Sequence, residues 1–161
     1  MKTFTKILVS IVFCTLFLSG YAVASNTDHH TVTVTVSAIN ELAIAGGSVT
    51  LTIHTATAGS GPDDVVDNAT ASLAWTTNES SKKITIATNL ASQKFTLKAL
   101  AQTVTGGSAA SEVTVTDTPT SFVTGIAKTT GGCAIQYTAH ATAAQGTGSD
   151  VHTITFTLTA S

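Results

Sequence analysis

Arginine is missing from all 161 residues, and charged side chains of any kind make up only 10% of them. A groove that grips nucleic-acid phosphates needs clustered Lys and Arg, so nucleic acid is excluded as an expected partner. Aromatic side chains are also few, at 6%. Beyond residue 24 they are Trp75, Phe95, Phe122, Tyr137 and Phe156. A sugar-stacking surface wants several exposed rings, and four of these five fall on what reads as an inward parity. Only Phe122 is expected to face outward. Two cysteines occur, Cys14 and Cys133.

Long apolar runs are equally scarce, and the one that exists is at the front. Lys2 and Lys6 precede Ile7-Leu8-Val9-Ser10-Ile11-Val12-Phe13-Cys14-Thr15-Leu16-Phe17-Leu18, and Ala22-Val23-Ala24 follows. A basic start, a short apolar stretch and an A-x-A site are the marks of a cleaved secretory signal peptide. The run of about a dozen residues falls short of the ~20 needed to span a bilayer. We therefore expect residues 1–24 to be a signal peptide and 25–161 to be a single exported domain. The expected location is the periplasm, the cell surface or the medium. Five basic residues then stand against nine acidic ones, a net charge of −4. Cys133 is left without an intramolecular partner, as a small buried hydrophobe. No second run is long enough for a membrane-spanning helix.

What is present is a period of two. Thr31-Val32-Thr33-Val34-Thr35-Val36 alternates polar and apolar β-branched residues. The beat returns in Ser48-Val49-Thr50-Leu51-Thr52-Ile53, in Lys83-Ile84-Thr85-Ile86 and in Thr153-Ile154-Thr155-Phe156-Thr157-Leu158. Side chains alternate faces along a strand, so this pattern gives one face for a core and one Thr-rich face for water. Strands are expected near 31–39, 48–57, 70–76, 82–88, 93–101, 111–117, 119–124, 133–143 and 151–160. Turns are expected at Ala45-Gly46-Gly47, 59–64, 78–81, Gly106-Gly107, Gly131-Gly132 and Gly146-Thr147-Gly148. Short strands at such spacing predict an all-β fold: one antiparallel, immunoglobulin-like β-sandwich of eight or nine strands. The expected core is Val32, Val34, Val36, Leu51, Ile53, Leu73, Trp75, Ile84, Ile86, Phe95, Leu97, Val113, Val115, Ile135, Tyr137, Ile154, Phe156 and Leu158.

Residue types that carry chemistry do not form a recognisable constellation. Asp63, Asp64, Asp67 and Asn68 cluster in a Gly/Pro-rich stretch, but their spacing is not that of a calcium loop; a solvated acidic turn is expected. His29 and His30 sit near the front. His54 and His140 share an outward parity, and His152 an inward one. Zinc sites use three or four ligands at fixed geometry, and convergence of these histidines is not expected. No Gly-x-Ser-x-Gly elbow occurs, and Glu41, Glu79 and Glu112 are scattered. We expect neither an enzyme, nor a cofactor, nor a metal centre.

The ending Tyr137-Thr138-Ala139-His140-Ala141-Thr142-Ala143, a Gly-rich turn, then Asp150-Val151-His152-Thr153-Ile154-Thr155-Phe156-Thr157-Leu158-Thr159 resembles the C-terminal hairpin of bacterial exported immunoglobulin-like domains. Small Thr/Ala-rich domains of cell-surface and pilin-like proteins, including the DUF4402 and WxL-type groups, end similarly. A Trp-x-Leu signature is absent, since Trp75-Thr76-Thr77 lacks the leucine. The signal peptide, the Thr-alternating strands and the missing catalytic constellation lead us to expect a non-enzymatic surface-structural or adhesive subunit, with self-association or another surface protein as partner. Residues 26–38 then pair either with their own sheet or with a neighbour's. The alternative expectation is a secreted module that binds carbohydrate or protein through its end loops, 58–69 and 144–150.

Overall fold

The computed structural model describes residues 26–161; the expected signal peptide, 1–24, lies outside the described residues. The sandwich belongs to the unit Val36–Ser161; the residues before Val36 form a separate unit. Among the described residues nine strands are formed: β1 (Asn40–Gly46), β2 (Val65–Thr77), β3 (Lys82–Thr88), β4 (Thr96–Thr105), β5 (Ser108–Ala109), β6 (Val113–Thr114), β7 (Thr120–Ile126), β8 (Thr129–His140) and β9 (Ile154–Ala160). They make two antiparallel sheets, one of order β1-β2-β8-β4-β6 and one of order β5-β7-β3-β9. The expected all-β, two-sheet sandwich is what the chain forms.

The core lies between the sheets, where the period of two puts it. β2 buries Ala71, Leu73, Trp75 and Thr77 on one side, β3 buries Ile84, Ile86 and Thr88, and β8 buries Cys133, Ile135 and Tyr137. Small and large residues face each other across the ladder: Ala99 pairs with Tyr137 and Ala101 with Ile135. That interdigitation lets a chain so rich in Ala and Thr reach interior packing density.

Several expectations need correcting. Residues 31–39 form no strand; the first one starts at Asn40. Val32, Val34 and Val36, expected inside, are 71%, 83% and 72% exposed. Residues 48–57 form no ladder either, beyond a single bridge between Ala56 and Pro62. Their alternation still decides burial, because Val49, Leu51 and Ile53 are half-buried and Val49 and Leu51 pack against the core. A period of two specifies which side faces inward; it does not specify a backbone partner. Phe95, Val113, Ile154, Phe156 and Leu158 are half-buried where full burial was expected. Phe122, expected outside, is 1% exposed, with its ring centroid 5.3 Å from that of Phe156.

The turn expected at Gly131-Gly132 instead lies within β8, near its start. Gly131 pairs with Trp75, and a Cβ there would stand 2.5 Å from the indole and 2.3 Å from the Thr105 carbonyl oxygen. The glycine is needed for close approach, not for a turn. Gly46 does end β1: its φ is +111°, and a Cβ would meet the Thr70 carbonyl oxygen at 2.0 Å. Within β2 the register shifts between Asp67 and Ala71. The Asp67 carboxylate holds that irregularity, accepting from the Thr70 backbone N–H and hydroxyl at 3.2 and 2.7 Å.

Candidate functional site

A sheet protein satisfies its backbone by pairing strands, so a strand-like sequence without a ladder is the feature to explain. Residues 31–36 are such a sequence. Among the described residues, 27–39 contain no strand, turn or bend. Three valines, each over 70% exposed, form one apolar row, with Thr31, Thr33 and Thr35 on the other.

The chain then joins the sandwich through Asn78. The Asn78 side chain donates to the Ser37 carbonyl at 2.7 Å and accepts from the Ile39 N–H at 2.8 Å. Its own N–H donates to the Ile39 carbonyl at 3.2 Å. Next to this clamp, Thr77 donates to the Asn40 side-chain oxygen at 2.8 Å, and Asn40 donates to Glu79. Glu79 also pairs with Lys82 at 2.9 Å. The Asn40 hydrogen bond, with Lys82 adding to it, holds the Glu79 carboxyl below the usual carboxylate range. A short Asn-Glu-Ser-Ser turn thus fixes where the unpaired segment leaves.

The matching feature is the edge of the smaller sheet. Among the described residues β9 pairs only with β3, which makes it an edge strand. Ile154, Phe156 and Leu158 pack against the core yet stay half-buried. β9 contains no charged residue. Long edge strands are usually blunted by Lys, Pro or a bulge, and β9 has none of these. β5 and β6, at the opposite edges, are two residues long.

The remaining candidates are not brought together. Asp64 accepts from or pairs with His140 at 2.6 Å on the surface, whereas Asp67 serves the β2 irregularity. The acidic cluster is thereby divided between two structural tasks. His54 lies 3.0 Å from the carbonyl of Thr52, two residues back in the same chain, and His152 lies 3.2 Å from the Thr88 hydroxyl. Burial lowers the His152 pKa, and Asp150 opposes that shift. Among the described residues, no group of three or more His, Cys, Asp or Glu is placed to hold a metal ion. Cys133 is free and buried, and burial pushes its thiol up, away from the reactive thiolate.

Sequence reasoning missed two polar residues. Asn78 was legible only as a turn former. Asp150 was not singled out at all, yet one oxygen accepts from the Lys94 and Phe95 N–H groups at 2.8 and 2.7 Å. Lys94 in turn donates to the Thr147 carbonyl at 2.6 Å, and Gln145 donates to the Lys94 carbonyl. The loop 144–150 is therefore built onto the start of β4, with a single turn of 3-10 helix at Ala143–Gln145. Among the described residues, no helix is long and apolar enough to cross a membrane. No protein-family model, curated protein or solved structure matches the chain.

Proposed function

We propose that the chain is an exported, non-enzymatic β-sandwich subunit of a cell-surface structural or adhesive assembly, pilin-like in pairing a sandwich body with an extended arm. The observation that carries the reading is the row of Val32, Val34 and Val36, exposed on an unpaired segment. Exposed apolar rows of this kind mark interaction surfaces. Thr on outward-facing strand positions supports it, because hydroxyl-coated sheets keep β-propensity without charge repulsion between packed subunits. Cell fractionation with electron microscopy of the producing cells tests the reading. The expected result is a processed chain outside the cytoplasm, in assemblies at the surface. A chain retained in the cytoplasm with residues 1–24 still attached overturns it.

The loop 144–150 favours a second reading, a binding module for carbohydrate or protein, because its hydrogen bonds to Lys94 and Phe95 fix it in advance of any ligand. A glycan array separates the two. Binding that disappears in Asp150→Ala supports the module, and a blank array favours the structural subunit.

A further inference from the structure

We infer that β1 is a two-fold joint: β1 of one copy pairs antiparallel with β1 of a second copy, centred on Ala43, and joins two five-stranded sheets into one. The inference goes beyond the surface-subunit reading and does not depend on it.

Among the described residues β1 pairs only with β2, so it ends the larger sheet. Residues directly opposite in a ladder share a face. Leu42 stands opposite Trp75 and Ile44 opposite Leu73, and both of those partners are buried. Leu42 and Ile44 therefore look to the core side. Leu42 packs against the core, but Ile44 is 58% exposed. The inward row of β1 is apolar and incompletely covered. β1 contains no Lys or Pro, and its ladder with β2 runs without a bulge, so the usual guards of an edge strand are missing.

The occupant is a second copy because β1 complements itself. A two-fold axis makes every contact twice and needs a strand that fits its own reverse. Centred on Ala43, Leu42 faces the partner's Ile44 and Ile44 faces the partner's Leu42, which brings four apolar side chains together on the core side. Asn40 faces the partner's Gly46, and Glu41 faces the partner's Ala45. Glu41 is the one charge in β1. The two copies of it lie four residues apart along the joint, ~14 Å at ~3.4 Å per residue, beyond the ~8 Å screening length at physiological salt. Centring on Leu42 or Ile44 instead pairs only the five residues around that centre, whereas Ala43 pairs the whole strand.

β9 is the other long edge and carries no charge, but Ile154, Phe156 and Leu158 are already half-buried against the core. The larger apolar area left to cover is at Ile44.

The test uses full-length protein purified after export. Sedimentation gives the oligomeric state, and two single-cysteine variants locate the joint: Ala43→Cys on β1 and Thr157→Cys, the counterpart position on β9. Opposed residues of an antiparallel pair have Cα atoms ~4.5–5.5 Å apart, within reach of a disulfide. Cys133 is buried and does not compete. Expected is a wild-type dimer, with a covalent homodimer on mild oxidation from Ala43→Cys and none from Thr157→Cys. Ile44→Lys changes an exposed side chain, so its circular dichroism spectrum stays that of wild type while the dimer dissociation constant rises at least ~10-fold. Three results overturn the inference: wild type monomeric at the highest soluble concentration, a dimer that cross-links through Thr157→Cys instead, or Ile44→Lys that dimerises as tightly as wild type.

Discussion

Replacing Gly131 by alanine adds one methyl group at a crowded point of the larger sheet. Its Cβ would stand 2.5 Å from Trp75 Cε2, 2.6 Å from Trp75 Nε1 and 2.3 Å from the Thr105 carbonyl oxygen. Comfortable carbon contacts begin near ~3.5 Å, so something has to move by about an ångström. Trp75 is 2% exposed. The Thr105 oxygen is backbone, and Thr105 pairs with Gly132 across the β4–β8 ladder. Overfilling a packed core costs ~1–3 kcal/mol, and a clash with both a ring and a carbonyl belongs at the upper end, ~3 kcal/mol. For a domain of this size, that lowers Tm by ~10 °C. Trp75 is the only tryptophan, so urea denaturation followed by its fluorescence reports on the perturbed spot directly. Gly61→Ala is the control: nothing lies within 4 Å of a Cβ there, and a change under ~0.5 kcal/mol is expected. A Gly131→Ala protein as stable as wild type, with an unshifted emission maximum, would show that indole packing does not require the glycine.

Phe122→Ala removes a ring that is 1% exposed against Phe156, and a loss of ~3–5 kcal/mol in denaturant stability is expected; a stable variant with altered ligand binding would contradict the buried placement. Asp150→Ala leaves the Lys94 and Phe95 N–H groups without their acceptor, so their hydrogen exchange accelerates while that of β8 does not. The same substitution removes the charge that opposes burial at His152, so an NMR titration finds the His152 pKa lowered further. Because the folded His152 resists protonation, its contribution to stability is complete above the unfolded value of ~6.5 and declines as pH falls below it. Tyr137 works in the opposite sense: burial pushes its hydroxyl up to about 12. The folded state keeps that proton longer, so its contribution is present below pH ~10 and is lost as pH rises toward 12. The loss is at most ~2.7 kcal/mol, read from urea midpoints between pH 8 and 11.

Where alternation, burial and a paired backbone coincide, as at Ile84-Thr85-Ile86 or Ile135-Gln136-Tyr137, the strand was legible from sequence. The two-sheet architecture was legible for the same reason. At residues 31–39 and 48–57 the pattern was equally clear, but no ladder forms. Apolar spacing records a side-chain preference, whereas a ladder needs a neighbouring backbone, and a single sequence does not say whose. Phe122 misled because β7 shifts register against β3 on either side of Ile84, and inward parity counted along the strand does not survive such a shift. Both Phe122 and Val123 are buried as a result. Gly131-Gly132 was misread because a glycine needed for close packing looks the same in sequence as one needed for a turn. The open edge of β9 was invisible: which strand ends a sheet is a property of topology alone.

That topology has a kinetic consequence. From β2 onward each successive strand belongs to the opposite sheet, and β1 with β2 is the only consecutive pair, among the described strands, that shares a ladder. Almost no contact is therefore available to a short stretch of nascent chain, and loop closure has to precede nearly every hydrogen bond. Topologies of this kind fold slowly, in milliseconds to seconds or longer. β3, at the heart of the smaller sheet, has β7 on one side and β9 on the other, so it stays half-paired until the last strand arrives. In that interval Ile84 and Ile86, fully buried in the finished sandwich, lack the strand that completes their cover.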